Sequence, residues 1–288
     1  MLWEELREEE FDAAIKETGG LCVVPVGCFE MHGQHLPVVT DVIQAEAVVK
    51  MASKIEPVCV FPAFRFGDVS SLVDWKGSVR LEPELMLKLL ENLCSEISRN
   101  GFKKILLYNY HGGNAALLGY FERSMMYRKK DYVLLTRILD VDAVNPKKLW
   151  ERIQKEGSGV FPELLPEDEQ ALKAFVEEKR PDGHGGMDET SCLLALRPEL
   201  VAMDRIHAVS GYSNHKAEKL LEMDIYPGTL WNMEHPNSYE GDPIGASARI
   251  GQVLLRLRAE RQAEACRRFK EAADVKAWYE EHNQYYPG

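Results

Sequence analysis

The sequence predicts an α/β fold, a three-layer α/β/α sandwich with a mostly parallel central sheet, formed by a single domain over residues 1–288. In the first half, short β-branched runs alternate with segments of helical periodicity, which is typical of strand–helix–strand units. The runs are apolar at consecutive positions, so both faces of each strand are expected to be buried, as in parallel sheets. No linker rich in glycine, serine or proline divides the chain.

The elements follow one another in strand–helix order. Strands are predicted over 21–26, 57–62, 104–109 and 132–138, and helices over 41–55, 82–99, 115–128, 243–258 and 260–281. Thr40 or Asp41 is placed to cap the first of these helices, and Pro83 marks the start of the second. Residues 140–182 are polar and interrupted by glycine and proline, which predicts an excursion that covers the functional site.

The net negative charge limits the classes of partner that the chain is expected to bind. The chain has 35 basic and 46 acidic residues, a net charge of −11 with neutral histidines. Such a surface repels phosphate backbones and anionic lipid, so nucleic-acid and membrane binding are not expected. The first ten residues carry five glutamates, and no apolar run approaches the length of a membrane span. We therefore expect a soluble, cytoplasmic protein.

The six cysteines are scattered and form no C-x-x-C pair. This distribution predicts reduced, buried thiols rather than disulfides. Cys28 is the possible exception, since it lies beside the first candidate site segment.

The first candidate segment, residues 27–41, follows the first predicted strand and therefore lies at the sheet edge where α/β proteins place ligands. It contains Glu30, His32, His35 and Asp41. Carboxylate and imidazole groups are ligands that Zn²⁺, Mn²⁺ and Fe²⁺ accept. The alternative is a polar loop in which Asp41 caps a helix and His35 packs under a proline.

Two further segments carry glycine-flanked histidines. Residues 108–114 follow the third strand and offer His111 as another candidate ligand, with Gly113 and Asn114 beside it. Residues 182–191 place His184 on a glycine-rich loop and Glu189 at the start of an apolar helix. Glu189 could cap that helix or point into the site, and His184 could act as a mobile acid or base.

Other catalytic templates are absent from the sequence. There is no G-x-S-x-G elbow, P-loop, H-E-x-x-H helix or dinucleotide-binding fingerprint. The remaining histidines lack a ligand-like context and are interpreted as structural: His207, His215, His235 and His282.

At these segments the sequence resembles the creatininase (creatinine amidohydrolase) family. Residues 25–41 follow its P-x-G-x-x-E-x-H-G-x-H-L-P-x-x-T-D block almost position for position. Residues 109–114 follow its N-x-H-x-x-N motif, residues 184–191 its H-x-G/A-x-x-E-T-S block, and residues 241–247 its G-D-P-x-x-A-S segment. The resemblance implies the same three-layer fold, two divalent metal ions per chain (Zn, Mn or Fe) and a homo-oligomer, a hexamer in creatininase itself.

The resemblance also implies a role for each matching residue. Glu30 and His111 would hold one ion, His32 the other, and Asp41 would bridge the two. His184 matches a proton donor or substrate contact, and Glu189 matches a site carboxylate.

The sequence departs from the family in two places. Creatininase has a metal-binding glutamate where this chain has Gly113, so the second ion would lose a ligand unless Glu189 or water replaces it. Residues 67–81 only loosely follow the usual G-x-S-x-x-H-x-x-F-P-G-T pattern, with Leu72 at the histidine position. Creatinine itself is therefore a doubtful substrate.

Our leading hypothesis is metal-dependent hydrolysis of a small cyclic or formyl amide, or a related carbonyl compound, by metal-activated water. Within the family, the resemblance leaves open a formamidopyrimidine nucleotide, with Arg65, Lys76 and Arg80 as phosphate contacts. It equally leaves open C–C bond hydrolysis of an oxidised inositol of the 3-dehydro-scyllo-inosose type. A non-catalytic metal-binding family member is the alternative of a different class. The sequence also leaves open whether Trp75, Trp150 and Trp231 close over a substrate or form a subunit contact.

Overall fold

Four parallel strands form the central sheet in the order β2–β1–β3–β4. The structure, a computed structural model, describes residues 1–72, 74–138, 143–226, 228 and 230–285. The sheet strands are β1 (Leu21–Val26), β2 (Cys59–Val60), β3 (Lys104–Asn109) and β4 (Val133–Arg137). A second, antiparallel pair consists of β5 (Asp182–His184) and β6 (Glu240–Gly241).

Helices cover both faces of the sheet. The helices in the described part of the chain are α1 (Phe11–Glu17), α2 (Thr40–Ala52), α3 (Pro83–Arg99), α4 (Asn114–Ser124), α5 (Pro146–Glu156), α6 (Pro166–Glu177), α7 (Met187–Leu196), α8 (Glu218–Leu221), α9 (Leu230–Glu234), α10 (Ala248–Glu271) and α11 (Ala273–Asn283). Along β1, Leu21 and Val23 join a core that includes residues of α2, α7 and α10. Cys22 and Val24 point the other way, into a core with residues of α1, α3 and α4. Alternate side chains of one strand thus enter two cores, which confirms the predicted three layers.

The register of β1 and β3 brings two candidate site segments together. Pro25 lies beside Tyr108 and Val26 beside Asn109, so both strands end at the same sheet edge. The chain that follows each strand therefore emerges there, as the parallel sheet predicted.

Several predicted boundaries are wrong. The C-terminal helices were predicted to break near residue 259, but α10 continues to Glu271, because Ala259 and Ala263 are buried and extend its packed face. Only two residues of the predicted strand 57–62 pair with β1. The predicted helix 115–128 stops at Ser124 and continues as a 3₁₀ turn.

The predicted capping of α2 by Thr40 or Asp41 is also wrong. The helix begins without a side-chain cap. The Thr40 hydroxyl instead donates to the Pro37 carbonyl, 2.7 Å away, and the Asp41 carboxylate faces two histidines.

Residues 143–181 of the predicted excursion contain α5 and α6, which pack against each other. Residues 140–142 of that excursion, and residues 286–288 of the chain, lie outside the described residues. In the described part of the chain, none of the helices combines the length and hydrophobicity required to cross a membrane. All six cysteines are buried and unpaired, as predicted.

Candidate metal centre

The three candidate segments meet at the carboxyl ends of β1 and β3. Glu30 and His32 lie in the segment after β1, His111 follows β3, and Asp41 lies in the first turn of α2. All four side chains are buried, with 7% exposure or less. Buried charged groups require partners, so the contacts among these residues decide what the site can do.

The first group of potential ligands contains Cys28, Glu30, Asp41 and His111, whose ligand atoms all lie within 4.8 Å of one another. Nδ1 of His111 is 2.8 Å from Oε1 of Glu30 and 3.1 Å from Oδ2 of Asp41. The thiol of Cys28 donates to the same Oδ2 at 3.1 Å.

A second group surrounds His32 and contains Asp41 and Glu189. Nε2 of His32 is 2.9 Å from Oδ1 of Asp41 and 3.6 Å from Oε2 of Glu189. A third, overlapping group joins Glu30, His32 and His184. Asp41 therefore presents one oxygen to each of the first two groups, the arrangement expected of a bridging carboxylate.

The histidine rings are oriented by backbone carbonyls on their far sides. Nε2 of His111 lies 2.6 Å from the Asp68 carbonyl, and Nδ1 of His32 lies 3.2 Å from the Glu30 carbonyl. A carbonyl only accepts hydrogen bonds, so each of these nitrogens carries the proton in the neutral ring. The lone pair of the other nitrogen then faces the carboxylates, an orientation common among metal-binding histidines.

The carboxylates give the centre a strong attraction for positive charge. Burial would lower the pKa of His32, but Asp41, Glu189 and Glu30 raise it to about 10. The pKa of His111 is also raised well above its usual value, against the effect of burial, with Glu30 the main cause. Without a cation, the two rings therefore hold protons that a metal ion would displace.

One oxygen of the centre has no hydrogen-bond partner among the residues that the structure describes. Oε1 of Glu30 is buried, and its close contact with Nδ1 of His111 lacks hydrogen-bond geometry. A buried carboxylate oxygen left without a donor is costly and would be satisfied by a cation. Oxygen and nitrogen donors of this kind suit Zn²⁺, Mn²⁺ and Fe²⁺, so the residues present fit a divalent metal.

Glu189 and His184 stand next to these groups on the α7 side. Oε2 of Glu189 accepts a hydrogen bond of 2.6 Å from the Gly185 amide, and burial raises the pKa of this carboxyl to about 7. Nε2 of His184 lies 2.5 Å from the Met31 carbonyl. Burial and the charge of His32 lower the pKa of His184 to about 4, which keeps this ring neutral.

A cleft of about 450 Å³ opens onto the centre. Glu30, Asp41, His111, His184 and Glu189 lie in its wall. The predicted excursion contributes further lining residues, namely Asn145, Lys147, Phe175, Arg180 and Asp182. The cleft has room for a small organic molecule.

A buried ion-pair network lies under the cleft, and no sequence pattern predicted it. Arg258 of α10 is fully buried and donates to Asp188, to the Tyr110 hydroxyl and, at 2.7 Å, to the Val144 carbonyl. Asp188 directly precedes Glu189, so this pair fixes the start of α7. In the sequence, Arg258 looks like an exposed residue of an amphipathic helix, and no local signal distinguishes it.

Neighbouring atoms leave no room for a Cβ atom at Gly113. A Cβ atom there would lie 2.5 Å from Nε2 of His111 and 2.8 Å from the Asp68 carbonyl. The position where the resemblance places a glutamate ligand thus has no room for a side chain in this chain. Glu189 is instead the carboxylate that reaches the second group.

The other sequence candidates lie outside the ligand groups. His35 faces the Thr190 hydroxyl at 2.9 Å. Trp231 lies edge-on to His184, with 5.4 Å between ring centroids, whereas Trp75 donates to Ser238 at 2.6 Å and Trp150 packs against the core. Among the described residues, the histidines interpreted as structural belong to no ligand group.

The cations considered for a phosphate site do not line this cleft. Arg65 pairs with Glu46 at 3.2 Å, and Lys76 lines a separate depression beside Trp75. Lys147 and Arg180 are the basic side chains that line the main cleft.

Comparison with known proteins agrees with the geometry. The family described as creatininase, creatinine amidohydrolase, matches residues 4–266 of this chain. The creatinine amidohydrolase of Pseudomonas putida is 24% identical over 273 residues, which cover 91% of this chain and 95% of that protein.

Solved structures show the same fold. A manganese form of creatininase superposes with a TM-score of 0.64 at 20% identity, covering 92% of this chain and 97% of that chain. A creatininase variant in complex with creatine gives a TM-score of 0.66 at 21% identity, with the same coverage.

Proposed function

Because this chain belongs to the creatininase family and is a metal-dependent hydrolase of that family, we propose that it hydrolyses a small cyclic or formyl amide or a related carbonyl compound. One observation carries the proposal: Asp41 presents its two oxygens to two adjoining groups of metal-ligating side chains at the wall of a cleft.

We propose two divalent ions per chain, which the overlapping ligand groups support. Glu30 and His111 would hold one ion, His32 and Glu189 the other, and Asp41 would bridge them. Zinc, manganese and iron all suit this donor set. Divalent ions in such a site lower the pKa of bound water toward about 7 and polarise a carbonyl group.

Glu189 is proposed as a ligand of the second ion. Burial raises the pKa of its carboxyl to about 7 in the metal-free centre, so a bound ion would displace any proton from it and hold it as the carboxylate. The Gly185 amide holds the carboxyl in place.

His184 is proposed as an acceptor and substrate contact. Its Nε2 proton is engaged by the Met31 carbonyl, and Nδ1 lies 3.6 Å from Oε1 of Glu30. The Nδ1 lone pair thus faces Glu30 in the wall of the cleft, where a substrate proton would meet it, and Trp231 packs edge-on against the ring.

We propose a substrate that bears a negative charge, because Lys147 of the excursion lines the cleft beside the proposed metal ions. Arg180 also lines the cleft, but its guanidinium pairs with Glu178 at 2.7 Å. Lys147 favours an anionic formamide over a neutral oxidised inositol, which requires no cation. The two alternative functions are hydrolysis of a C–C bond in an oxidised inositol and a non-catalytic role as a metal-binding protein.

The test combines substrate profiling with two pairs of variants. We expect metal-dependent hydrolysis of an anionic formamide by the wild type, and loss of that activity in His111→Ala and Asp41→Ala with folding retained. Lys147→Ala should raise the KM for the anionic formamide, whereas Lys148→Ala should not, because Lys148 pairs with Glu151 outside the cleft. Full activity in His111→Ala or Asp41→Ala would contradict the proposal.

The remaining parts of the proposal rest on the resemblance and the charge balance. We propose a single domain over 1–288 in which 140–182 covers the site, and a homo-oligomer, a hexamer as in creatininase, in the cytoplasm. A small molecule is the proposed substrate, and neither nucleic acid nor membrane is a proposed partner.

A further inference from the structure

Cys28 lies inside the first ligand group. Its sulfur is buried and lies 3.1 Å from Oδ2 of Asp41. The ligand atoms of Cys28, Glu30, Asp41 and His111 all fall within 4.8 Å of one another. The other five cysteines belong to none of the ligand groups found among the described residues.

A second observation independently indicates a cation at this point. Oε1 of Glu30 is buried without a hydrogen-bond partner, although it faces Nδ1 of His111 at 2.8 Å. The thiol, the two carboxylates and the imidazole therefore surround a common point. Their mutual hydrogen bonds leave the Glu30 oxygen at that point unpaired among the described residues.

Among the described residues, no side chain other than Cys28 joins Glu30, Asp41 and His111 in this ligand group, and His184 belongs to a different group with Glu30 and His32. Gly113 has no room for a side chain. Asp68 turns its carboxylate to the amide of Ser70 and its carbonyl to His111. Within the part of the chain that the structure describes, sulfur is the fourth donor of this group.

We propose that Cys28 is a metal ligand in this chain and completes a four-residue set with Glu30, Asp41 and His111. The inference rests on the proposed function, since it concerns the same centre. When the ion binds, the S–H bond breaks, its proton passes to solvent, and a sulfur lone pair forms the bond to the metal. Asp41 is then released from the thiol.

The sulfur ligand has two consequences. A thiolate favours zinc, cobalt or cadmium over manganese and magnesium, so this position is selective for the softer ions. Four protein ligands also leave a tetrahedral ion without an open position, as in structural zinc sites. The group of His32, Asp41 and Glu189 has three protein ligands, so substrate would meet the ion held there.

The test is cobalt substitution of the full-length protein. The metal-free protein is titrated with Co²⁺ alone while near-ultraviolet absorption and bound cobalt per chain are measured. A sulfur-to-cobalt charge-transfer band is expected in the wild type and in Cys94→Ser, a matched change of a buried thiol on α3. The band should be lost in Cys28→Ser.

X-ray absorption of the zinc-loaded wild type provides a readout that requires no variant. A sulfur scatterer at about 2.3 Å from zinc is expected. Bound metal without the cobalt band or the sulfur scatterer would overturn the role of Cys28 and leave the hydrolase proposal intact. A band that persists in Cys28→Ser would also overturn it. Failure to bind any metal would contradict the proposed function itself.

Discussion

Oδ1 of Asp41 lies 2.9 Å from Nε2 of His32, at the point where the first turn of α2 meets the segment after β1. The other oxygen of the same carboxylate faces His111 and the Cys28 thiol. One side chain thus joins two groups of potential ligands, so substitutions at Asp41 and at its partners should have different effects on metal content.

Asp41→Asn should lose both metal ions, because both groups share its carboxylate. Glu189→Gln and His111→Ala should each retain about one ion per chain, since Glu189 and His111 each belong to only one of the ligand groups found among the described residues. Elemental analysis after metal loading measures the difference. Asp131→Asn, whose carboxylate pairs with Lys103 on the surface, is the control and should match the wild type. Equal metal content in Asp41→Asn and wild type would refute the shared role.

Gly113→Ala should destabilise the protein by about 1–3 kcal/mol and reduce metal binding, because the new methyl group would press on His111 and the Asp68 carbonyl. Gly112→Ala is the matched control, since a Cβ atom there meets nothing within 4 Å. Urea unfolding and metal titration of the two variants test this. If both variants behave alike, the close packing at Gly113 does not constrain the site.

Arg258→Met should cost about 3–5 kcal/mol, because it leaves Asp188 buried without its counter-ion. Adding Asp188→Asn should recover part of that loss. Arg256→Met, on the same helix, should cost about 1 kcal/mol or less, since its ion pairs with Glu163 and Glu260 are partly exposed. The free energy of unfolding in urea measures these losses. A loss in Arg258→Met no larger than that in Arg256→Met would contradict the role of the buried ion pair.

Asp168 should make stability depend on acid pH. Burial alone would raise its pKa, but hydrogen bonds from Arg249 and Ser247 hold it below its usual value of 3.8. A carboxyl with a lowered pKa stabilises the fold above its unfolded-state pKa and loses that contribution as pH falls through the folded-state value.

Asp168→Asn should therefore cost about 2 kcal/mol near neutral pH. The difference from wild type should remain constant down to about pH 5 and shrink below about pH 4. Unfolding free energies at a series of pH values measure it. A difference that stays constant to pH 2 would show that the carboxylate charge is not the cause.

The sequence predicted the layers and the meeting of the site segments because both depend on local patterns. Consecutive apolar residues in β1 and β3 require two covered faces, and a parallel register places Val26 beside Asn109. It could not predict contacts between distant residues. Arg258 reaches Asp188 across 70 positions, and nothing near either residue signals the pair.

The same limit applies within the candidate site. A carboxylate at a helix start is typical of a cap, so the sequence pattern left Asp41 open between capping α2 and binding a metal ion. The approach of His32 and His111 from two loops determined its orientation instead. The lack of space for a side chain at Gly113 depends on the Asp68 carbonyl of another loop. The sequence does not predict this contact either.

The most direct test of the shared metal centre is the number of metal ions per chain in wild-type protein prepared without chelator and saturated with zinc. About two ions per chain are expected, with Asp41 shared between them. About one ion would contradict the shared carboxylate, and none would contradict a metal centre at this sheet edge.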